Sequence, residues 1–277
     1  MLQVFSNRKP WPADLFTGKV VFVMGGLGPI CKSQTRAMVL LGANAAVAGN
    51  EYISTVVATK EIQSARAGSK VIPCAYIDTR SVKSIAIGVD YVVREFGKID
   101  FVIASPTGNF LADFNHISSS GFATIASLDI LGSLNTLRAC IPELHRSNGS
   151  ILFVNAALHC YPVPFSIPSE LVSHSIGAFL KSLPSNLPSL GIKYHYLAPV
   201  FSSSLEKKSL AYPPSSTSPS LASTDFIEAT ISLFSPAASN IFGAVHFVTN
   251  LSPSYITGPP QFPVVIKEHL YRPSLKL

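Results

Sequence analysis

The chain has 277 residues and carries 21 basic and 15 acidic side chains, so that only 13% of its residues are charged and the net charge is +6. That charged share is about half of what soluble domains usually have, and Ser (37 residues) and Pro (21) take its place. A chain of this length and apolar content buries a full core, as one large domain or two small ones, which excludes a disordered protein. No apolar run reaches the ~18 residues of a membrane span. Met1–Pro10 lacks the apolar core of a signal peptide.

The cysteines, histidines and basic residues argue against disulfide-rich, metal-binding and nucleic-acid-binding proteins. The four cysteines are scattered without a C-x-x-C pair, which favours reduced, buried thiols in an intracellular protein over a disulfide frame or a zinc site. Histidines show no paired ligand spacing, so we expect no metal. Basic residues are dispersed in runs of at most two and do not alternate with aromatics, so nucleic acid is not an expected partner. A mild positive charge suits an enzyme whose substrate or cofactor is anionic.

The hydrophobic pattern alternates between short apolar runs and longer amphipathic stretches. It predicts strands at Val20–Met24, Ala45–Ala48, Lys70–Tyr76, Phe101–Ala104, Ile151–Val154, Lys193–Leu197 and Val245–Val248. It predicts helices at Ser33–Leu41, Ser54–Ala65, Val82–Glu95, Gly121–Cys140, Glu170–Leu183 and Asp225–Leu233. This alternation predicts an α/β fold, a Rossmann-type doubly wound parallel sheet in a single domain.

Domain boundaries follow from the same pattern. We expect an N-terminal extension over 1–14, the Rossmann-type domain over 15–252 and a C-terminal tail over 253–277. The segment 201–223 is rich in Ser and Pro and falls outside the core pattern. It follows a strand whose carboxyl end would face the ligand, so it is either a lid over the site or a plain surface loop.

A glycine-rich turn separates the first strand from the first helix. It reads Gly25-Gly26-Leu27-Gly28-Pro29-Ile30. Glycines allow a phosphate to approach the backbone, and the N-terminus of the next helix offers free N–H groups and the positive end of its dipole. Gly25, Gly28 and Ile30 are therefore candidate cofactor-binding residues. The alternative is a tight turn that binds no ligand.

The end of the second strand normally contacts the adenosine ribose of a dinucleotide. Here it reads Gly49-Asn50-Glu51. Glu51 would accept a hydrogen bond from a ribose hydroxyl, which favours NAD. Lys32 and Arg36, early in the first helix, are the nearest cations for the 2′-phosphate of NADP. Charge alone leaves the choice of cofactor open.

Several segments carry a resemblance to a known family. The chain resembles the short-chain dehydrogenase/reductase superfamily and, within it, the fungal peroxisomal 2,4-dienoyl-CoA reductases of the sporulation-associated group. The likeness covers about Leu15 to Ala198 and resumes at Leu233. It is carried by Leu15-Phe16-Thr17-Gly18-Lys19-Val20, the glycine turn, Val39-Leu40-Leu41-Gly42-Ala43-Asn44, Ile77-Asp78-Thr79-Arg80-Ser81, Gly108-Asn109-Phe110-Leu111-Ala112 and Leu128-Asp129-Ile130-Leu131-Gly132-Ser133.

The resemblance implies an activity and a set of roles. Such enzymes use NADPH to reduce 2,4-dienoyl-CoA esters to 3-enoyl-CoA in the β-oxidation of unsaturated fatty acids, so it implies a fatty acyl-CoA substrate, a homo-oligomer and a peroxisomal location. The glycine turn would hold the pyrophosphate, Asp78 the adenine edge and Gly108 the nicotinamide side. Asp129 would help to protonate the dienolate through water. Asn109 is a further retained candidate catalytic residue.

One departure from the family falls on catalytic positions. The superfamily's Lys aligns with Ser173 and its Tyr with Ser169, while Lys181 is eight residues along the helix, roughly two turns away. That Lys is expected to bind the nicotinamide ribose and to supply positive charge. As a candidate catalytic residue, Ser173 keeps part of the hydrogen bonding and none of the charge.

Other departures leave two hypotheses. Asn50 replaces the Arg expected at the 2′-phosphate, Thr249 replaces an Asp, and Pro184 interrupts a helix that builds the family's subunit interface. The chain ends in Leu275-Lys276-Leu277, where the peroxisomal address is a small, a basic and a leucine residue. The first hypothesis, which the resemblance implies, is an NADPH-dependent dienoyl-CoA reductase of the peroxisome, or otherwise of the cytoplasm. Alternatively, the chain is a catalytically inactive homologue that keeps the fold for binding or interaction.

Overall fold

A computed structural model describes residues 11–25, 27–106, 114–155, 167–183, 187–199, 223–241, 243 and 245–248. Its strands are β1 Val20–Met24, β2 Asn44–Ala48, β3 Val71–Cys74, β4 Phe101–Ala104, β5 Ser150–Val154, β6 Lys193–Pro199 and β7 Val245–Val248. Its helices are α1 Pro29–Leu40, α2 Tyr52–Gln63, α3 Val82–Phe96, α4 Ser119–Ala126, α5 Gly132–Ser147, α6 Ile167–Lys181 and α7 Ser223–Phe234. A π-helical segment, Ser127–Leu131, joins α4 to α5.

The seven strands form one parallel sheet in the order β3-β2-β1-β4-β5-β6-β7. The chain moves outward from β1 to β3 and then returns to place β4 on the other side of β1. In such a sheet the ligand crevice opens at the carboxyl ends of the strands where the order reverses, here between β1 and β4. The predicted single α/β domain with a doubly wound parallel sheet is confirmed.

Strand composition explains the two-layered core. Every residue of β1 is buried, because helices cover both faces of the sheet and leave no polar side. Phe22 points to the half of the core that contains Ile85 and Leu137, from α3 and α5. Val23 points to the opposite half, which contains Met38 of α1 and is also built from residues of α7.

All the predicted helices differ from the observed bounds by a few residues, and two of them show the largest differences. We predicted that the first helix begins at Ser33, whereas α1 begins at Pro29, because a proline fits the first helical position, whose N–H has no partner within the helix. The helix predicted over Gly121–Cys140 runs further at both ends, from α4 through the π-helical segment to Ser147. Periodicity did not predict the π-helical segment.

Buried polar groups fix the end of the sheet opposite the crevice. The Asp100 carboxylate, 4% exposed, lies 3.0 Å from both the Lys19 and the Lys98 ammonium groups. It also accepts the backbone N–H of Val20 at 2.9 Å, so that it ties the start of β4 to the start of β1. Because this N–H is buried, losing its acceptor would leave an unsatisfied donor in the core.

Three of the four cysteines lie in the described part of the chain. Cys31, Cys74 and Cys140 are free and buried, as predicted, while Cys160 lies outside that part. Burial raises their pKa values to about 11, about 12 and about 12 respectively, so they are neutral thiols near pH 7. None of the described helices combines the length and the apolarity needed to cross a membrane.

Candidate active site

The glycine turn packs against the chain that leaves β4. Gly25 has φ of +83°, and a Cβ there would lie 2.1 Å from the carbonyl oxygen of Ser105. Ser105 in turn donates its N–H to the carbonyl of Met24 at 3.0 Å. Only glycine combines this conformation with this approach, so the turn draws the ends of β1 and β4 together at the predicted crevice.

The turn leads directly into the N-terminus of α1. The N–H of Gly28 donates to the carbonyl of Gly25 at 3.1 Å, and no side chain caps the helix. Pro29 has no N–H, so the first-turn donors begin with Ile30. An added Cβ on Gly28 would meet only the carbonyl oxygen of Gly25, at 3.6 Å, which leaves its surroundings open. A glycine cradle with an uncapped helix N-terminus fits the pyrophosphate of a dinucleotide.

The end of β2 is closely packed beneath the same turn. A Cβ on Gly49 would lie 2.2 Å from Thr55 Oγ1 and 3.1 Å from the Leu27 side chain. Nearby, Tyr52 and Tyr76 stack with their ring planes 14° apart and their centroids 6.3 Å apart. Both rings are largely exposed, at the carboxyl ends of β2 and β3. Sequence reasoning did not single out this pair, although an aromatic residue shortly after each of two adjacent strands was a visible signal.

The two cations nearest the end of β2 bond to α2. Lys32 pairs with Glu61 at 2.5 Å, and Arg36 donates to the carbonyl of Glu61 at 2.6 Å. Both cations thus bond to the end of α2 rather than to its start, where Asn50 lies exposed. Glu51, the N-cap residue just before α2, accepts from Ser54 Oγ at 2.8 Å. Neither candidate cation for a 2′-phosphate is oriented toward Asn50 by these bonds.

Asp78 lies where expected, just after β3, and has a partner that sequence reasoning missed. The Arg80 guanidinium donates to both of its carboxylate oxygens, each at 2.9 Å. These hydrogen bonds hold the pKa of Asp78 below its usual value. The pair is exposed, so it contributes little to stability. An adenine that bonded to Asp78 would compete with Arg80.

The loops after β3 and β4 are held together by the start of α5. The Asn135 amide donates to the carbonyl of Thr79 at 3.1 Å. A Cβ on Gly132 would lie 3.0 Å from Pro106 and 3.3 Å from Thr79. These contacts fix the walls of the crevice on the β4 side. The predicted site residues Gly108 and Asn109 follow Pro106 in the chain and lie outside the described residues.

Asp129, the predicted acid, lies in the π-helical segment between α4 and α5 and is 3% exposed. A π-helical segment inside a longer helix is rare and is frequent at functional sites. The segment packs against α6, as does α4. Asp129 is therefore buried within a segment that contacts α6.

Ser173 lies within α6, the helix that packs against the Asp129 segment. The neighbouring Val172 and Ile176 are buried in the same half of the core as Ile125 of α4. The structure thus brings the helix of Ser173 beside that of Asp129, while the Ser173 side chain lies outside its described part. Lys181 is the last residue of α6.

A comparison with family models matches residues 19–205 to short chain dehydrogenases. The chain belongs to the short chain dehydrogenase family. Members of this family are oxidoreductases that bind NAD or NADP, reduced or oxidised. The fold prediction and the resemblance to the short-chain dehydrogenase/reductase superfamily are both confirmed.

Among curated relatives, the chain is 41% identical to a peroxisomal 2,4-dienoyl-CoA reductase [(3E)-enoyl-CoA-producing] of Saccharomyces cerevisiae, over 87% of this chain and 86% of the relative. It is 25% identical to the peroxisomal 2,4-dienoyl-CoA reductase of Pongo abelii, over 84% of this chain and 82% of the relative. These matches confirm the resemblance to the dienoyl-CoA reductases. The inactive-homologue hypothesis gains no support from them.

Solved structures of this family share the fold at low identity. A short-chain type dehydrogenase/reductase from Mycobacterium marinum is 18% identical, with a TM-score of 0.75 over 85% of this chain and 95% of the other. A 3-ketoacyl-(acyl-carrier-protein) reductase from Brucella melitensis, complexed with NADH, is 20% identical, with a TM-score of 0.73 over 84% and 98% of the two chains.

Proposed function

We propose that this short chain dehydrogenase reduces 2,4-dienoyl-CoA esters to 3-enoyl-CoA esters with NADPH, as part of the β-oxidation of unsaturated fatty acids. The main support is the 41% identity to a dienoyl-CoA reductase over most of both chains. The structure supports it further, because Asp129 is buried beside α6 and the glycine cradle opens at the switch point of the sheet. The +6 net charge suits anionic CoA esters.

The chain's own residues would hold the cofactor at the crevice. Gly25, Gly28 and the N–H groups from Ile30 onward would bind the pyrophosphate, and Gly108 would lie at the nicotinamide. Asp78 would accept from the adenine amino group in exchange for Arg80. When bound, the dinucleotide supplies the hydride that the dienoyl chain accepts.

Asp129 would deliver the proton, while Ser173 would hold the cofactor. The reduced chain takes up a proton after the hydride arrives, and the Asp129 carboxyl would deliver it through a water molecule. The Ser173 hydroxyl would hold the nicotinamide ribose in place of the family's lysine, and Asn109 would orient the substrate. Without the lysine's positive charge, developing negative charge is less stabilised, so we expect slow turnover.

Turnover tests this proposal directly. Purified full-length protein with a 2,4-dienoyl-CoA ester should oxidise NADPH and yield the 3-enoyl-CoA ester. Ser173→Lys should raise kcat about tenfold, because an ammonium group restores charge at the reacting end of the cofactor. Absence of turnover in both proteins, together with no thermal stabilisation by NADPH, would contradict the proposal and favour an inactive homologue.

Cofactor preference should respond to Asn50. Its neutral side chain, beside the carboxylate of Glu51, would give the 2′-phosphate of NADPH no ion pair. Asn50→Arg should therefore lower the KM for NADPH about tenfold, through a charge-assisted hydrogen bond, and leave that for NADH within about twofold. Steady-state kinetics with both cofactors measures this change. Asn50→Gln is the matched control, and an equal change for both cofactors would contradict this position for the 2′-phosphate.

Location and assembly complete the proposal. The relatives from Saccharomyces cerevisiae and Pongo abelii are peroxisomal by name, and we propose the same compartment for this chain. The tripeptide Leu275-Lys276-Leu277 lies outside the described residues. We propose a homo-oligomer by the same family resemblance.

A further inference from the structure

On the side of the sheet that α7 covers, one buried histidine has no hydrogen-bond partner among the described residues. His195 lies on β6, in register with Leu152 of β5, and is fully buried. Paired residues of parallel strands share a face, and Leu152 and Leu197 both belong to the half of the core that contains Phe226 and Ile231 of α7. His195 therefore lies between the sheet and α7, away from the ligand crevice.

Within the described part of the chain, the surroundings of the His195 ring offer no acceptor for an added proton. Neither of its nitrogens has a hydrogen-bond partner among the described residues. Its ring centroid is 5.8 Å from that of His246 on β7, whose Nε2 is likewise buried and unpaired in that part of the chain. A buried imidazolium would carry two N–H donors without acceptors, which is costly in a core.

The charged groups on the elements packed against β6 do little to stabilise a protonated His195. On β6 itself, Lys193 adds positive charge, and on β7 His246 adds more when protonated. On α7 the carboxylates are Asp225 and Glu228, and Glu228 already accepts from the Trp11 indole at 2.8 Å. No residue of β5 titrates. Burial, followed by repulsion from His246 and Lys193, lowers the pKa of His195 from 6.5 to about 4.

We propose that His195 is an acid-sensitive latch between β6 and α7: a proton on its ring loosens α7 from the sheet. The geometry carries this proposal, because the ring is fully buried, has no acceptor among the described residues and has a second histidine beside it. It goes beyond the proposed function, since the latch lies on the opposite side of the fold from Asp129 and would act whatever the substrate is.

The direction of the pH effect follows from linkage. The folded-state pKa is below that of the unfolded chain, so the unfolded state binds the extra proton between pH 6.5 and about 4. The stabilising effect of a neutral His195 is complete above pH 6.5 and is lost as the pH falls through that window. Within it, this one residue should raise the unfolding equilibrium constant by up to about tenfold for each pH unit.

Trp11 provides the readout. It is the single tryptophan of the chain, and its bond to Glu228 makes its emission a reporter of α7. Urea unfolding of the full-length protein is followed by Trp11 emission at several pH values in this window. The slope of the unfolding free energy against pH gives the number of protons taken up on unfolding, and we expect that number to be lower by about one in His195→Leu. His116→Leu, which changes an exposed histidine in the same way, is the control and should keep the original slope.

Two outcomes would overturn the latch. Equal proton uptake in the original protein and in His195→Leu would show that His195 does not couple folding to pH. The second outcome needs no variant, and so it holds if His195→Leu fails to fold. NMR of the native chain would show whether the His195 ring nitrogens keep the chemical shifts of a neutral ring throughout the folded range. Shifts of a protonated ring near pH 6.5, with α7 still in place, would contradict the proposal.

Discussion

Asp129→Asn should reduce kcat for dienoyl-CoA reduction by at least about 100-fold, because an amide cannot deliver the proton that the reduced acyl chain requires. The side chain is 3% exposed, and Asn has nearly the same shape, so we expect the fold to persist. Steady-state kinetics on the purified variant measures the loss. The KM for NADPH should stay within about twofold, because Asp129 would act on the substrate and not on the cofactor.

A matched control tests whether an Asp-to-Asn change by itself affects activity. Asp90 is an exposed aspartate on α3, and Asp90→Asn makes the same substitution at the surface. We expect its kcat to be unchanged. If Asp129→Asn kept full activity with an unaltered pH profile, Asp129 would have no role in proton transfer. A fall in kcat accompanied by a large fall in Tm would instead indicate a structural role.

Most of the fold could be predicted from the sequence because strands buried on both faces leave a strong pattern. Phe101–Ala104 and Val245–Val248 were predicted with their observed bounds, since each is a short, mainly apolar run between polar or flexible residues. Helix ends were less predictable. The start of α1 depends on Pro29 and on Gly28, an N-cap residue without a side-chain bond. The spacing of apolar residues does not predict such a start.

The site was only partly predictable, because its decisive contacts join residues that are distant in the chain. The position of the glycine turn was predicted, yet its contact with Ser105 depends on the pairing of β1 with β4. The Arg80 partner of Asp78 and the bonds of Lys32 and Arg36 to α2 depend on side-chain directions. For the same reason the sequence did not predict that Lys32 and Arg36 bond to α2, and their role at a 2′-phosphate stays a prediction.

Gly25→Ala should lower the free energy of unfolding by about 3 kcal/mol or more. An L-residue at φ of +83° costs about 1–2 kcal/mol, and the added Cβ would overlap the Ser105 carbonyl oxygen, 2.1 Å away. For a chain of this size that corresponds to a fall in Tm of roughly 6–12 °C. Because the obstacle is backbone and not a flexible side chain, the end of β4 would have to move. Calorimetry with and without NADPH measures both the loss of stability and any loss of binding.

Gly28→Ala tests cofactor binding separately from the stability of the fold. Gly28 has φ of −71° and ψ of 149°, which any residue adopts, and the added Cβ would meet only the Gly25 carbonyl oxygen at an ordinary 3.6 Å. We therefore expect Tm to change by no more than about 2 °C. NADPH affinity should nevertheless fall about 10- to 100-fold, since the methyl group would stand where the pyrophosphate approaches the helix N-terminus. Isothermal titration measures that fall. Unchanged affinity in Gly28→Ala would mean that the turn is structural and that the dinucleotide binds elsewhere.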